Sequence, residues 1–191
     1  TIHFRMEFDG ETIAGEFLDL SYEIYSRRCP FNAQANPASE YAGPYTILIS
    51  GTDDDASLPK GDSLATLKIG TDGRAAIRGK LSDGISFSKS TLLTQDGDCP
   101  FLLLLKGRKE FAVARFTIDN FGDHDIEGAF AWRRTEQSAQ RLFPAGFEIA
   151  PSVIGFRYHP PASAEENVLQ LTNAVVVLAG GTLGTGFADR V

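Results

Sequence analysis

Leu64-Ala65-Thr66-Leu67-Lys68-Ile69-Gly70-Thr71-Asp72-Gly73-Arg74-Ala75-Ala76-Ile77-Arg78-Gly79-Lys80-Leu81-Ser82-Asp83-Gly84 is the stretch that decides the fold. Ala65, Leu67 and Ile69 share one face of a period-two segment, and Ala75, Ile77, Gly79 and Leu81 share one face of the next. Side chains alternate in this way only along a strand. Between the two segments stands Asp72-Gly73, the pair a tight hairpin favours because both residues tolerate positive φ. Asp83-Gly84 and Asp96-Gly97 repeat the signal 11 and 13 residues further on, which is the spacing of consecutive hairpins.

The same alternation extends in both directions. Towards the N-terminus, Ile2, Phe4, Met6 and Phe8 alternate with polar residues, and Asp9-Gly10 turns the chain into Ile13 to Ile24. Further strands are expected at Tyr45 to Ser50, Ile85 to Thr94, Phe101 to Lys106, Phe111 to Ile118 and Asp125 to Arg133, the last with Ile126, Gly128, Phe130 and Trp132 on one face. Val153 to Tyr158, Val168 to Leu171 and Ala174 to Ala179 complete the set. The nearest approach to helical spacing, Thr135 to Leu142, is one or two turns at best. The expectation is an all-β protein: an antiparallel meander of about 11–12 strands forming a β-barrel or a β-sandwich, with little helix. Residues 1–26 read as an N-terminal β-hairpin, 27–44 as an irregular connection broken by Pro30, Pro37 and Pro44, and 45–191 as the main antiparallel domain.

Composition narrows the function classes. With a net charge of -7 over 191 residues, the chain lacks the concentrated basic surface that nucleic acid requires, so no nucleic-acid partner is expected. No apolar run approaches the roughly 18 to 20 residues of a spanning helix, so no membrane span is expected. The chain opens on a strand-like alternation, without Met or a basic leader, as a processed piece of a longer polypeptide would.

Few residues carry chemistry-bearing patterns. Cys29 and Cys99 fit neither metal nor redox spacing; they read either as one disulfide closing a loop of about 70 residues or as two buried free thiols. Val175 to Gly186 resembles the strand and glycine turn of a dinucleotide site, but only five residues follow Gly186, too few for the required helix, and the glycines read as a turn between strands. Asp53-Asp54-Asp55 lacks the alternating ligands of a calcium loop. His124, flanked by Asp123 and Asp125, reads as a turn residue rather than a metal ligand, and His3 and His159 stand alone. No nucleophile elbow is present, so no catalytic residue, metal or cofactor is expected. Trp132, Tyr45 and Tyr158 are candidate aromatics for stacking on a sugar, although Trp132 continues the apolar face of its strand.

A larger pattern runs through Asn36-Pro37-Ala38, Tyr41-Ala42-Gly43-Pro44-Tyr45-Thr46, Gly51, Ala65-Thr66-Leu67, Asp72-Gly73 and Gly79-Lys80-Leu81-Ser82-Asp83-Gly84. It continues through Ser88, Asp96-Gly97, Pro100, Gly128, Trp132, Gly155-Phe156-Arg157-Tyr158, Pro160-Pro161 and Leu178-Ala179-Gly180-Gly181-Thr182-Leu183. From Gly15 to Phe187 the order of these turns resembles an uncharacterised β-rich domain found near the C-terminus of large secreted bacterial surface proteins, beside immunoglobulin-like or other β-repeat modules. The resemblance implies an extracellular or cell-surface location and brings no catalytic residue. It also implies that Cys29 and Cys99 stand where the family carries aromatics, an exchange that suits a local disulfide. The functional expectation is a non-catalytic structural or adhesive module whose partners are other modules of the same polypeptide or neighbouring subunits. The alternatives are a glycan- or small-ligand-binding β-barrel, and a subunit that polymerises by strand exchange through Thr1 to Phe8 or Val175 to Leu178.

Overall fold

A computed structural model describes residues 4–10, 12–17, 22–51, 55, 57–105, 110–139, 142–163, 175–180 and 183–190. Among these the chain is all-β and contains no helix, so none is long and apolar enough to cross a membrane. Two compact units divide it, Thr1–Tyr158 and His159–Val191.

The first unit begins with a three-stranded antiparallel sheet, β1 (Phe4–Phe8), β2 (Thr12–Phe17) and β3 (Tyr22–Arg27). Ile13 to Ile24, a single segment by alternation, is therefore two paired strands. Period two continues in both halves, so the pattern alone does not mark the break; residues 18–21 lie outside the described set.

The rest of the unit is one nine-stranded antiparallel sheet: β4 (Gly43–Ile49), β5 (Ser63–Ile69), β6 (Arg74–Lys80), β7 (Ser86–Leu92), β8 (Asp98–Leu105), β9 (Glu110–Ile118), β10 (Ile126–Arg134), β11 (Phe147–Ile149) and β12 (Ser152–Arg157). Its hydrogen-bonded order is β7-β6-β5-β4-β12-β10-β9-β8, with β11 added to β10. The consecutive hairpins follow the Asp-Gly turns. The step that makes the sheet curl is β12, which returns to lie between β4 and β10 and places Gly155 opposite both Ile47 and Ile126. The two ends of the path, β7 and β8, come into contact, and the barrel is nearly closed.

Alternation fills its interior. Ala65, Leu67 and Ile69, then Ala75, Ile77 and Leu81, then Ile126, Phe130 and Trp132 are all buried, as their shared faces require. Each large aliphatic or aromatic side chain so buried contributes roughly 1.5–3 kcal/mol. The partners between these strands, such as Thr66, Lys68, Glu127 and Arg133, face out. Thr135 to Leu142 forms turns rather than helix in its described part.

The Asp-Gly turns do more than reverse the chain. The connection over residues 28–42 lies against two of them, tied by Ala38 N donating to Thr71 O at 2.8 Å. Gly73, at φ 75°, has no room for a side chain: a Cβ there would come within 2.9 Å of both Cys29 Sγ and Phe31 Cβ. Gly97, at φ 82°, takes the ring of Tyr41, which a Cβ would approach to 3.0 Å. The irregular, proline-rich segment is thus a cap over one end of the barrel, with its own Ala38 buried.

The second unit holds a two-stranded antiparallel hairpin, β13 (Val175–Gly180) and β14 (Leu183–Arg190), bulged between Leu178 and Gly180. Gly184 and Gly186 lie within β14, so the glycine-rich run is a hairpin and its far strand, with no helix after the first glycines. Val168 to Leu171 lies outside the described residues.

Candidate functional site

Both ends of the barrel carry charged residues, in two different settings. At the end bearing the Asp83-Gly84 turn, Glu110 opens β9 and Arg134 closes β10, directly opposite one another in the ladder. Arg134 continues the inward series Ile126, Phe130, Trp132, and Glu110 precedes the inward series Ala112, Ala114, Phe116, so both charges point into the core. Arg134 Nε donates to Glu110 Oε2 at 2.8 Å, and Trp132 Nε1 donates to the other oxygen at 2.8 Å. The guanidinium also pairs with Asp83 in the β6–β7 turn, and its flat face lies 5.0 Å from the Phe147 ring centre. Burial alone would pull the Arg134 pKa down, but Glu110 and then Asp83 outweigh it and hold the group charged. Satisfied on all sides and closed to solvent, this network ties three strands and a turn together and has no free valence for a ligand.

At the capped end lies an open cleft of about 260 Å³, lined by Glu40, Tyr41, Tyr45, Asp96, Asp119, Asp125 and Arg157, among others. The cap supplies Glu40 and Tyr41, the β7–β8 turn Asp96, the β9–β10 turn Asp119 and Asp125, and β12 Arg157. Arg157 works as a clasp. Its Nη1 donates to Glu40 O at 2.9 Å, its other terminal nitrogen donates to Ala42 O, and its plane lies 5.7 Å from the Tyr45 ring centre. Its backbone N–H donates to Asp125 Oδ2 at 2.7 Å, and Tyr45 Oη donates to Tyr41 O at 2.7 Å. Asp96 pairs with Arg27 at 2.5 Å.

The electrostatics of the cleft follow from this layout. Burial, then the carboxylates of Glu40, Asp119 and Asp96, push the Tyr41 phenol above its ordinary pKa. Burial also raises Tyr45, against an opposing pull from Arg157. Both phenols therefore stay protonated at neutral pH, and the cleft is a negative, aromatic-walled concavity without a nucleophile-base pair. No group of three or more His, Cys, Asp or Glu among the described residues is placed to hold a metal ion.

His124 stands apart from this lining, in the β9–β10 turn. Its Nδ1 lies 2.5 Å from Asp123 Oδ1, its Nε2 lies 3.0 Å from Glu127 Oε1, and its ring stacks on Phe121. The hydrogen bond with Asp123, then that with Glu127, raises its pKa. The partner that matters besides Asp123 is Glu127, three residues on, not Asp125.

The three stacking candidates do not share a surface. Trp132 and Tyr45 are each 2% exposed inside the barrel, whereas Tyr158 is 41% exposed. Cys29 and Cys99 are both free thiols, Cys29 partly exposed in the cap and Cys99 fully buried on β8. Asp55 is described, but Asp53 and Asp54 are not, and neither is His3; His159 is exposed.

Sequence reasoning missed both charged sets. For the buried one a signal exists: Arg134 and Glu110 fall in phase with the apolar faces of their strands, where a charge needs a partner. For the cleft there is none, because its members come from three separated loops and from strands β4, β9 and β12. Compared with protein families, with curated proteins and with solved structures, the chain matches none.

Proposed function

We propose that the chain is a non-catalytic structural or adhesive module of an extracellular bacterial surface protein or assembly. The observation that supports it best is the filled barrel. Core side chains occupy the interior, a satisfied ion network shuts one end, and the proline-rich cap covers the other. A barrel built to hold a ligand at its axis keeps that space open; this one spends it on packing, which suits a rigid spacer or display scaffold. Recognition then falls to the outer surface, where the acidic cleft offers a concave face complementary to basic groups. The order of turns that resembles secreted bacterial surface domains supports the extracellular setting. The burial of Trp132 and Tyr45 weighs against sugar stacking as the binding mode.

The test is labelling of intact producing cells with a membrane-impermeant amine reagent. Lysines of this chain modified before lysis support the reading; modification only after lysis overturns it.

A further inference from the structure

The barrel has two free edges, and they are not alike. β7 and β8 end the hydrogen-bonded path, and among the described residues no backbone bond joins them beyond the one from Thr94 N to Asp98 O at their turn. The ladder fixes which way each edge group points. Gly97 O accepts from Ile118 N at 3.0 Å, so Gly97 turns its main-chain groups to β9, and the alternate residues after it, Cys99, Phe101, Leu103 and Leu105, do the same. Asp98 O, bonded to Thr94 N, points the other way, and Pro100, Leu102 and Leu104 follow it. Leu102 and Leu104 thus present two N–H and two C=O groups along an open edge. Their side chains stand on the outer face, 49% and 57% exposed, and Val113, opposite Leu102 on β9, is 49% exposed beside them. The β7 edge is polar instead. Ser86, Ser88 and Ser90 face out, and Lys89, in phase with buried Phe87 and opposite buried Ile77, is exposed. A lysine on the core-facing side of an edge strand blocks the approach of another strand. β8 carries no such guard; only Pro100, which lacks an N–H, limits its edge, and it does so at one end.

We propose that the β8 edge is the docking surface for a second copy of this chain, β8 pairing antiparallel with its counterpart about a two-fold axis at Leu103. Two properties of the strand select this occupant. First, the free groups are self-complementary: with Leu103 on the axis, Leu102 falls opposite the partner's Leu104 and Leu104 opposite the partner's Leu102. Four N–H···O=C bonds then form between groups that already point outward. Second, the order of charges along the sequence agrees. Asp96 and Asp98 precede the apolar run and Lys106, Arg108 and Lys109 follow it. Antiparallel self-pairing therefore brings the acidic start of each strand towards the basic finish of the other, whereas parallel pairing would set like charges together. On the outer face the leucines of the two copies lie side by side and cover apolar surface that meets water in the single chain. The contact uses neither Thr1 to Phe8 nor Val175 to Leu178, and no strand leaves its own sheet. Being isologous, it closes at two copies and makes a dimer, not a filament. One strand edge is at the small end of specific interfaces, so the dimer is weak and depends on concentration.

The experiment is sedimentation velocity of the full chain under reducing conditions, from about 1 to about 500 μM, the range in which a weak contact titrates. Wild type is expected to pass from monomer to dimer across it. Leu102→Pro removes an N–H that serves only the contact, a change an edge strand tolerates, and Leu104→Lys sets a charge against the partner's Leu102. Both are expected to weaken the dimer at least tenfold, with Trp132 emission reporting that each is folded. Leu104→Lys, at a side chain more than half exposed, keeps the test decisive should Leu102→Pro not fold. Ser88→Pro makes the same change on the other edge, where Ile85 O accepts from Leu81 N at 2.8 Å and so leaves Ser88 N–H facing out; it is expected to dimerise as wild type does. A wild type that stays monomeric leaves the edge to a foreign strand and overturns the proposal. Assembly beyond a dimer overturns it too, as does a dimer that survives Leu104→Lys or that a folded Ser88→Pro abolishes.

Discussion

Arg134→Met is the most informative perturbation of the fold. The substitution keeps the unbranched stem that packs beside Phe143 and Phe147 but deletes the charge that serves both Glu110 and Asp83. Two carboxylates whose side chains are at most 1% exposed would then lack a cation. Removing one partner of a buried ion pair costs about 3–5 kcal/mol, far above the 0–1 kcal/mol of a surface pair. Against a typical total of 5–15 kcal/mol the loss is severe but leaves a folded population to measure, and in a chain of this size the midpoint falls by about 10 °C. The single tryptophan, Trp132, shares Glu110 with Arg134 and reports on the site directly. Urea denaturation followed by its fluorescence is the assay. The deficit is expected to shrink when Glu110→Gln and Asp83→Asn are added, because a neutral amide needs no cation. A loss below about 1 kcal/mol, or one that the two added substitutions leave unchanged, would refute the view that the network closes this end of the barrel.

Three further outcomes follow from the capped end and its neighbouring turn. Gly73→Ala places a Cβ against Cys29 and Phe31 at positive φ and is expected to cost about 2 kcal/mol by denaturant midpoint, whereas Gly122→Ala, with open space around it, costs only the backbone strain. His124 is expected to titrate above an unfolded-state histidine by NMR, with Asp123→Asn lowering its midpoint more than Glu127→Gln. Since its folded value is raised, its contribution is present below the unfolded value and lost as pH rises through the folded one; Asp123, whose value is lowered, contributes above its unfolded value and loses this as pH falls through its folded one. Glu40→Gln is expected to lower the ultraviolet titration midpoint of Tyr41 while burial keeps it above an ordinary phenol.

Much of the barrel is legible in the sequence because period two and Asp-Gly turns are local signals. Leu64 to Gly84 specifies two strands, their faces and their turn without reference to anything distant. The return of β12 between β4 and β10 is not legible, since Val153 to Arg157 carries no mark of which strands it will join. Phe147–Ile149 is too short to show a period, and Leu183–Arg190 is masked by glycines that read as a turn. The cap is legible only as the absence of pattern; what Gly73 and Gly97 reveal, that a turn can be a seat for another segment, needs the third dimension. The cleft, assembled from Glu40, Asp96, Asp119 and Arg157, depends on all of these together.

The claim on which the functional reading rests is that the barrel interior is filled and closed to solvent, with Trp132 inside it. Acrylamide quenching of the Trp132 emission tests it most directly. The expected result is a blue-shifted emission that acrylamide hardly quenches until the protein unfolds; a red-shifted emission quenched as freely as a short peptide would contradict the filled barrel and return Trp132 to the candidates for ligand stacking.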